Sequence, residues 1–529
     1  MKNNRIKEIF EEANANPKIF EIIFGLLVLV VGVSVRINFV SGSSYPMNDG
    51  GFFFTMTEEL IENGFRLPKF TSYNFSDIPF AYPPLAFYIV GIINKLSGIS
   101  LLSLFRYFPL VISCLTIPAY YLLTGHFFKD KIYRLLTVYL FVTLPRSFEW
   151  FVMGGGITRS VGFLFAILAI YFIWNSLEED KFGPNLTWGA VFSGLTILSH
   201  PVTSLFLVFS VIVIYLYNYP FIIKNGILLV FMIIGITSPW WITILGFHGI
   251  SPYIGASNTG HLNWFEIKNL ITLNFGYENQ YFLSVVSLLA ILGMFSKRKK
   301  MSLLLTIIWI LGYFAIPRGG IDLLTAFLPA LAVLGFEVVT NPWNKEERTE
   351  GGGNFPLQIG SKRTRTLLFF FILYLFLGAY TYKYVNNKFE LRLDRNNVMA
   401  MEWLKENTKE TDSVLLVPTF NENRYWWNDY ISEWFPALSA RKNVTTVQGY
   451  EWIPAKFDER ILMYTSLRSC GLDYHCIQEW QLEFHIEVDY IYLDNLNNQG
   501  SLAENLLDTN VYSIDYENEN VMIISEIEP

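Results

Sequence analysis

The stretch IFEIIFGLLVLVVGVSVRINFV, residues 19–40, is an apolar run near the start of the chain. A helix needs about 20 mostly apolar residues to cross a hydrocarbon core about 30 Å thick, and this run is long enough. It is too long for the apolar part of a secretory signal, and no small-residue cleavage site comes after it. Comparable runs occur at residues 101–123, 227–245 and 367–380. The sequence therefore predicts a multi-pass α-helical membrane protein.

The composition agrees with that interpretation. The 529 residues are 52% hydrophobic and 17% aromatic but only 16% charged, whereas soluble proteins carry about a quarter charged residues. The formal net charge is −7, with the acidic surplus in the C-terminal part and the basic clusters between apolar runs. Because nucleic-acid binding requires a basic face, this distribution argues against it.

Basic residues in short loops predict the orientation of the spans, because such loops stay on the inner side of a membrane. We predict about eleven spans with the N-terminus inside. They are residues 19–40, 104–124, 132–149, 157–175, 186–200, 201–217, 226–245, 281–295, 301–316, 320–340 and 367–385. The inner segments then hold Lys2, Arg5, Lys7, Lys129, Lys131, the cluster SKRKK at 296–300 and the cluster SKRTR at 361–365. An odd number of spans places residues 386–529 outside, so the expected location is the cell membrane with an extracytoplasmic C-terminal domain.

Residues 82–96 are apolar enough to be taken for a further span. A twelfth span there would place both basic clusters outside, against the charge rule. We therefore predict an interfacial helix within the first outer loop, residues 41–103, and Pro83-Pro84 suits a helix start. The charged, Gly-rich residues 341–366 predict a flexible cytoplasmic loop.

The C-terminal residues 386–529 show a different pattern. Short apolar runs bounded by turn residues predict strands, and helical spacing alternates with them, so we expect an α/β layer domain. The strands are expected at 413–418, 444–447, 490–493 and 521–525, and the helices at 398–407, 456–468 and 501–508. Asn74 and Asn443 begin acceptor-type sequons. Such triplets are frequent by chance and receive little weight.

Three cysteines bear on redox chemistry. Cys114 lies in an apolar helix and is expected to be inert. Cys470 and Cys476 are close together in CGLDYHC, which favours a disulfide if the domain is exported. Two free thiols, or a weak metal pair with His475, are the alternatives.

Asp49 comes after the first span and precedes Gly50-Gly51. One interpretation is a general base that removes a proton from an acceptor hydroxyl, with the glycines letting backbone approach a ligand. The alternative is a helix N-cap, a role for which Asp is strongly preferred.

Several ionisable residues lie at the predicted outer ends of spans, where such residues are functional candidates. Arg146, Arg159 and Arg318 could hold phosphate oxygens in bidentate fashion, or could extend to the membrane interface. His200 joins two short spans and is a candidate acid, base or phosphate contact. A buried histidine bonded to a carbonyl is the alternative. Short helices with polar tips predict a cavity open to the outside.

The segment 424–452 is dense in aromatic residues and carboxylates. The residue types resemble a sugar-binding surface, with Trp426, Trp427, Trp434 and Trp452 beside Asp429, Glu433 and Glu451. Docking onto the lipid headgroup belt explains the aromatics equally well.

The pattern as a whole resembles the membrane glycosyltransferases of the GT-C superfamily, over most of the chain in architecture. Asp49 matches the acidic residue of that superfamily's first outer loop. Residues 82–110, YPPLAFYIVGIINKLSGISLLSLFRYFPL, are similar to the interfacial helix and arginine-led second span of the aminoarabinose transferase and protein O-mannosyltransferase branch. This match places Arg106 at the start of the second span and groups Tyr82 with the acceptor or sugar contacts.

The stretch RYWWNDYISEWFPALSARKNVTTVQG also resembles, more weakly, the WWDYG region of oligosaccharyltransferase catalytic subunits. It departs from that motif, because Asn428 is inserted and Ile431 replaces glycine. In the second outer loop, MGGGITRS occupies the place of the family's paired acidic metal ligands. The resemblance leaves a divalent metal ion open but does not favour it.

The resemblance implies a transferase that moves a sugar from a polyprenyl-phosphate carrier to a glycan, lipid or protein acceptor on the outer face. The carrier phosphate would lie near Arg159, with Arg146, His200 and Arg318 as further contacts. Asp49 would activate the acceptor in a single inverting displacement. A transporter is the main alternative, but it predicts two related halves with a midplane site, which the sequence lacks. A non-catalytic glycan-binding membrane protein is the third interpretation.

Overall fold

The structure is a computed structural model that describes residues 17–179, 183–218, 223–259, 284–316, 319–340, 362–385, 392–418, 425–494 and 496–527. Arg318 and most of the predicted cytoplasmic loop 341–366 lie outside these ranges.

Apolar helices form the first two thirds of the chain, and each predicted span coincides with a helix or with two consecutive helices. They are α1 (Pro17–Val40), α4 (Leu101–Phe127), α5 (Lys131–Thr143), α6 (Gly156–Glu179), α7 (Pro184–Ile197), α8 (Pro201–Asn218), α9 (Ile223–His248), α11 (Val285–Gly293), α12 (Lys299–Ala315), α13 (Gly320–Leu323) with α14 (Leu328–Thr340), and α15 (Lys362–Val385). Five described helices are long and apolar enough to cross a membrane, and the bent pair α13–α14 is a sixth candidate. The chain is thus a multi-pass membrane protein, while the count of eleven spans and their orientation remain predictions.

Local sequence accounts for where these helices begin and end. The side chain of Asp130 accepts hydrogen bonds from the first-turn N–H groups of α5, and Ser100 caps α4 in the same way. Such caps satisfy donors that have no partner inside the helix. Helix α5 ends at Thr143, short of the predicted residue 149, and a 3₁₀ turn at Pro145–Ser147 comes next. This early end leaves Arg146 on a turn instead of in a helix.

The first loop contains helix α2 (Gly51–Glu62), a small antiparallel pair β1 (Phe70–Thr71) and β2 (Ile78–Pro79), and helix α3 (Leu85–Ser97). Helix α3 corresponds to the predicted interfacial helix. It begins directly after Pro83-Pro84 and ends at Gly98, whose φ of 71° is a left-handed conformation that glycine adopts without strain. At 13 residues, α3 is shorter than a helix that crosses the hydrocarbon core directly.

The C-terminal part carries a five-stranded mixed sheet with the order β4-β3-β5-β7-β6. Its strands are β3 (Ser413–Val417), β4 (Lys442–Asn443), β5 (Tyr490–Asp494), β6 (Tyr512–Glu517) and β7 (Val521–Glu526). Strand β3 runs parallel to β4 and β5, whereas β7 is antiparallel to β5 and β6. Helices α16 (Arg395–Asn407), α17 (Tyr430–Ser439), α18 (Lys456–Cys470), α19 (Tyr474–Glu483) and α20 (Leu496–Asp508) accompany it, and a short helix α10 (Ser251–Ser257) comes after α9.

Two strand predictions need correction. The strand predicted at 444–447 lies earlier, at Lys442–Asn443. Val444 and Thr445 form a turn, in which the Thr445 N–H donates to the Asn443 side chain. Strand β6 is absent from the predicted strands. Its residues are mostly exposed, so the sequence lacks the apolar run that marks a buried strand.

The two sequon asparagines hold the first loop to the C-terminal part. The Asn74 amide donates to the Asn443 carbonyl at 3.0 Å, and the Asn443 N–H donates to Asn74 Oδ1 at 2.8 Å. Both side chains are buried, at 1% and 0% exposure. The interpretation of these triplets as glycan acceptors is therefore wrong for the folded chain. One apolar cluster continues across the same boundary, from Phe54 through Trp434 to Tyr492.

Candidate active site

Asp49 and Arg159 form a bidentate ion pair at the N-terminal end of α6. Arg159 Nη1 lies 2.8 Å from Asp49 Oδ2, and Nη2 donates to Oδ1 at 2.9 Å. Parallel N–H···O bonds of this kind are among the stronger and more directional polar contacts in proteins. The Asp49 and Arg159 side chains keep 17% and 21% of their surface exposed.

The glycine run before α6 makes this pairing possible. The Gly155 N–H donates to the Asp49 carbonyl at 2.8 Å and to Asp49 Oδ1 at 3.2 Å. A Cβ atom at Gly155 would overlap the Asp49 carboxylate, and one at Gly154 would overlap the Asp49 carbonyl. The two glycines therefore let the first loop and the start of α6 touch.

Asp49 does not cap a helix. The N-cap residue of α2 is Gly50, with φ of 135° and no side-chain cap hydrogen bond. The alternative interpretation of Asp49 as a helix cap is thus wrong, and its carboxylate is directed to Arg159 and Gly155.

Glu433 from α17 approaches the same point from the C-terminal part. Its Oε1 accepts a hydrogen bond from the Gly50 N–H at 2.7 Å, and the Trp434 indole donates to the Asn48 carbonyl at 2.8 Å. A Cβ atom at Gly51 would overlap the Glu433 carbonyl. Gly50 and Gly51 therefore let the backbone of the first loop lie against helix α17. The sequence predicted instead that these glycines let the backbone approach a ligand.

Burial raises the pKa of the Glu433 carboxyl well above its ordinary value, and the nearby Asp49 charge raises that pKa further. The Gly50 N–H and Arg159 act in the opposite direction. A carboxyl in such a place keeps its proton to higher pH than an exposed one does.

Aromatic and imidazole rings form one wall beside the ion pair. The Tyr82 ring lies 5.7 Å from Trp452 and 6.5 Å from His200, measured between centroids. The Tyr82 hydroxyl hydrogen-bonds with Thr158, one residue before Arg159, at 3.2 Å. Glu451 lies close enough to affect both Tyr82 and Glu433 electrostatically.

His200 stands at the start of α8. The Thr203 N–H donates to His200 Nδ1 at 3.1 Å, so Nδ1 is the acceptor nitrogen and a neutral ring carries its proton on Nε2. Its Cβ packs against Gly162, one turn along α6 from Arg159.

Arg146 belongs to a second ion pair, with Nη1 3.0 Å from Oδ1 of Asp322. Asp322 is close enough to Arg159 for their charges to interact. The Tyr382 hydroxyl donates to Glu149 next to this pair. The two ion pairs together bring Asp49, Arg159 and Arg146 to one end of the helical part.

Trp427 does not take part in these contacts. It is 48% exposed and stacks on Tyr425 at 4.6 Å, with Trp426 at 5.7 Å. Its predicted place beside Glu433 and Trp452 in a sugar-binding surface finds no support in these contacts. The predicted disulfide is present between Cys470, at the end of α18, and Cys476 in α19.

No group of three His, Cys, Asp or Glu side chains within the described ranges is placed to hold a metal ion. Asp49, the first candidate carboxylate in the sequence, is taken up by a guanidinium instead. The described residues thus show no metal centre at this site.

One contributor, Thr158, was not singled out from the sequence. Trp434 belongs to the aromatic cluster of residues 424–452, and Asp322 is an ionisable residue near the predicted outer end of a span. Gly154 and Gly155 belong to a run of three glycines in the sequence. The position of that run, just before Arg159 at the start of a helix, could have identified them as part of the site.

No family model matches the sequence, and no curated protein matches it. Solved structures do. The oligosaccharyltransferase of Archaeoglobus fulgidus, tethered with an acceptor peptide, aligns over 95% of this chain and 74% of its own, with a TM-score of 0.53 and 14% identity. The chain therefore has the fold of the GT-C membrane glycosyltransferases.

A second solved structure with this fold matches the chain from end to end. ArnT from Cupriavidus metallidurans, bound to undecaprenyl phosphate, aligns over 96% of this chain and 98% of its own, with a TM-score of 0.53 and 12% identity. The A. fulgidus enzyme AglB in complex with dolichol phosphate is also similar, with a TM-score of 0.53 and 14% identity. The predicted resemblance to this superfamily is confirmed at the level of fold.

Proposed function

We propose that this chain is a glycosyltransferase that moves a sugar from a polyprenyl-phosphate carrier to an acceptor at the outer face of the membrane. The observation that carries the proposal is the bidentate contact between Asp49 and Arg159 in a GT-C fold. A carboxylate suited to take a proton and a guanidinium suited to hold phosphate are adjacent and partly exposed there.

Donor counting supports simultaneous use of both groups. A guanidinium has five N–H donors. Arg159 Nε donates to the Trp150 carbonyl at 3.2 Å, and one N–H of each terminal nitrogen serves Asp49. Among contacts with the described residues, one N–H on each terminal nitrogen remains for a phosphate oxygen. Arg159 can therefore hold the leaving phosphate while it orients Asp49.

The reaction is a single displacement. The Asp49 carboxylate accepts the proton of the acceptor hydroxyl, the acceptor oxygen bonds to the anomeric carbon, and the bond from that carbon to the phosphate oxygen breaks. The electron pair leaves with the polyprenyl phosphate, and Arg159 stabilises its charge. Attack from the side opposite the phosphate inverts the anomeric centre.

The neighbouring groups take supporting roles. Tyr82 and Trp452 offer aromatic surface to the sugar, and Glu433 and Glu451 lie on the side of the C-terminal part, where the acceptor would bind. His200 can donate from Nε2 to a phosphate oxygen. Arg146 is a further candidate contact, and its Nη1 is held by Asp322.

The outer placement rests on charge and on the cysteines. Described basic residues such as Lys131 and Lys300 lie at the ends of helices opposite the Asp49 end, in keeping with the positive-inside rule. A disulfide in the C-terminal part also fits an exported domain.

The test uses membranes that contain the overexpressed chain, with membranes lacking it as the control. A panel of polyprenyl-monophosphate sugars, each labelled in the sugar, is supplied, and label that leaves the carrier fraction is measured. Transfer from one donor class supports the proposal. Failure of the purified chain to bind undecaprenyl phosphate or dolichol phosphate contradicts it.

A further inference from the structure

A cavity lies at the far end of helix α6 from the candidate active site. Its volume is about 490 Å³, within the range of ligand pockets. Its lining includes Trp174 and Glu178 near the C-terminal end of α6, Tyr217 of α8, and Lys299 and Lys300 at the start of α12. Glu178 is 19 positions beyond Arg159, or about 28 Å along a helix. The cavity is thus about one hydrocarbon thickness away from the Asp49 pair.

The charges that face this cavity favour an anion. Arg298 also lines it, but its guanidinium is held by Glu337, with Nε 3.0 Å from Oε2. Glu178 faces His126 at 3.2 Å. Lys299 and Lys300 are exposed. Their two positive charges exceed the one negative charge of Glu178, so the cavity lining is positive overall.

The backbone adds to this positive field. Helix α12 has 17 residues, and Arg298 at its N-cap makes no side-chain cap hydrogen bond. The unpaired N–H groups and the dipole of a helix N-terminus attract phosphate groups. The N-terminus of α12 opens into the cavity, because Lys299, Lys300 and Met301 of its first turn line it.

The surroundings are those of a lipid headgroup. His126 stacks on Trp174 at 4.7 Å, and Lys300 Nζ lies 6.0 Å from the Tyr217 ring. Aromatic rings of this kind gather where headgroups lie. Leu216 and Leu303 stand next to lining residues and are 60% and 52% exposed, so apolar surface for acyl chains continues from the cavity.

We propose that this cavity binds the phosphate of an anionic glycerophospholipid in the leaflet opposite the candidate active site. The phosphate oxygens accept hydrogen bonds from Lys299, Lys300 and the first turn of α12, and the acyl chains lie along Leu216 and Leu303. This site is independent of whether the chain transfers sugars. Basic pockets between membrane helices bind anionic headgroups in this way.

The test titrates phosphatidylglycerol, phosphatidylcholine and inorganic phosphate against the purified full-length chain in neutral detergent and records the apparent Tm. Phosphatidylglycerol is expected to raise the Tm of the wild type at concentrations where phosphatidylcholine does not. The double variant Lys299→Gln/Lys300→Gln should need at least about tenfold more phosphatidylglycerol for half the effect, since each basic residue near a lipid surface contributes on the order of a fivefold factor.

Lys297→Gln is the matched control. It removes one positive charge next to the two that the double variant removes, but Lys297 does not line the cavity, so its titration should match the wild type. Lys299→Arg/Lys300→Arg should restore the response if the double Gln variant loses stability on its own.

Three results would overturn the proposal. The first is an equal effect of phosphatidylcholine. The second is an unchanged titration for the double Gln variant, or an equal loss for Lys297→Gln. The third is full stabilisation by millimolar inorganic phosphate without lipid, which would assign the cavity to a soluble anion.

Discussion

Gly50 donates its backbone N–H to the Glu433 carboxyl at 2.7 Å, across 383 positions of sequence. This hydrogen bond joins the residue after Asp49 to helix α17 of the C-terminal part. The position of Asp49 therefore depends on the docking of the C-terminal part as well as on the membrane helices. Substitutions on either side of this contact should affect the same candidate site.

Replacing Asp49 by Asn should abolish sugar transfer. Loss of a general base typically lowers a rate by about 10²–10⁴-fold. The amide keeps the size of the side chain but leaves Arg159 with one acceptor and no counter-charge, so the apparent Tm should fall as well. Transfer of labelled sugar in membranes measures the effect. Asp77→Asn is the control, because Asp77 is exposed in the same loop and its φ of 47° suits Asn. Transfer at the wild-type rate by Asp49→Asn would reject Asp49 as the base.

Arg159→Lys should weaken binding of undecaprenyl phosphate. Lysine keeps the charge but loses the planar fork that contacts Asp49 and phosphate together. We expect the Kd to rise about tenfold, as the loss of a charge-assisted hydrogen bond implies. Binding to the purified chain provides the measurement. Arg395→Lys, at an exposed position of α16, should leave the Kd unchanged, and an equal effect of both variants would remove Arg159 from the phosphate site.

Gly155→Ala should inactivate the protein while leaving most of the fold in place. The added methyl group would overlap the Asp49 carboxylate, so the side chain must leave its position on Arg159. Gly154→Ala should also lower the Tm, because its methyl group meets the Asp49 backbone. Gly235→Ala in α9 is the control, since nothing lies within 4 Å of the new Cβ. Normal transfer by Gly155→Ala would show that the observed Asp49 position is not needed.

Glu433→Gln should change the pH dependence of stability. Burial raises the pKa of Glu433 above its ordinary value of 4.5, so the folded protein holds this proton to higher pH than the unfolded chain. The carboxyl therefore favours folding fully below about pH 4.5, and this contribution is lost as pH rises through the raised pKa. Glutamine stays neutral and keeps an oxygen for the Gly50 N–H.

The Tm of Glu433→Gln minus that of the wild type should therefore grow more positive as pH rises above about 4.5 and through the raised pKa of Glu433. Thermal melts across this range supply the check. Glu406→Gln, at an exposed position of α16, should show a flat difference. A flat difference for Glu433→Gln would mean that burial does not perturb this carboxyl.

The disulfide offers a test of orientation. If the C-terminal part is extracytoplasmic, Cys470 and Cys476 should react with a thiol reagent in intact cells only after treatment with a reductant, because disulfides persist in oxidising compartments. Mass spectrometry of the peptide that contains both cysteines reads out the result. Alkylation without a reductant would argue for a reducing, cytoplasmic location.

Local sequence determined the helical part and most of the sheet. Hydropathy and the caps at Ser100 and Asp130 act over a few residues, so their effect could be read directly. Strands β3, β5 and β7 could be predicted for the same reason, as buried apolar runs between turn residues. Strand β6 has no such run and could not.

The residues of the candidate site could be predicted only in part from the sequence. Asp49 and Arg159 could each be singled out, because ionisable residues near span ends are rare. Their direct pairing across 110 positions could not be predicted. It requires the first loop to touch the start of α6, and only the glycines there allow that contact. Arg146 was singled out in the same way, but its pairing with Asp322 was decided by the packing of two distant turns.

The apolar run at residues 19–40 by itself determined that this chain enters a membrane, because the length of a run against hydrocarbon thickness is a local property. The tertiary structure alone decided which partners the residues of the first loop find. Asp49 forms an ion pair with Arg159 of helix α6. Gly50 and Asn74 hydrogen-bond to Glu433 and Asn443, because burial of apolar surface docks the C-terminal part onto the first loop. Such contacts between distant segments depend on packing, and no local pattern encodes them.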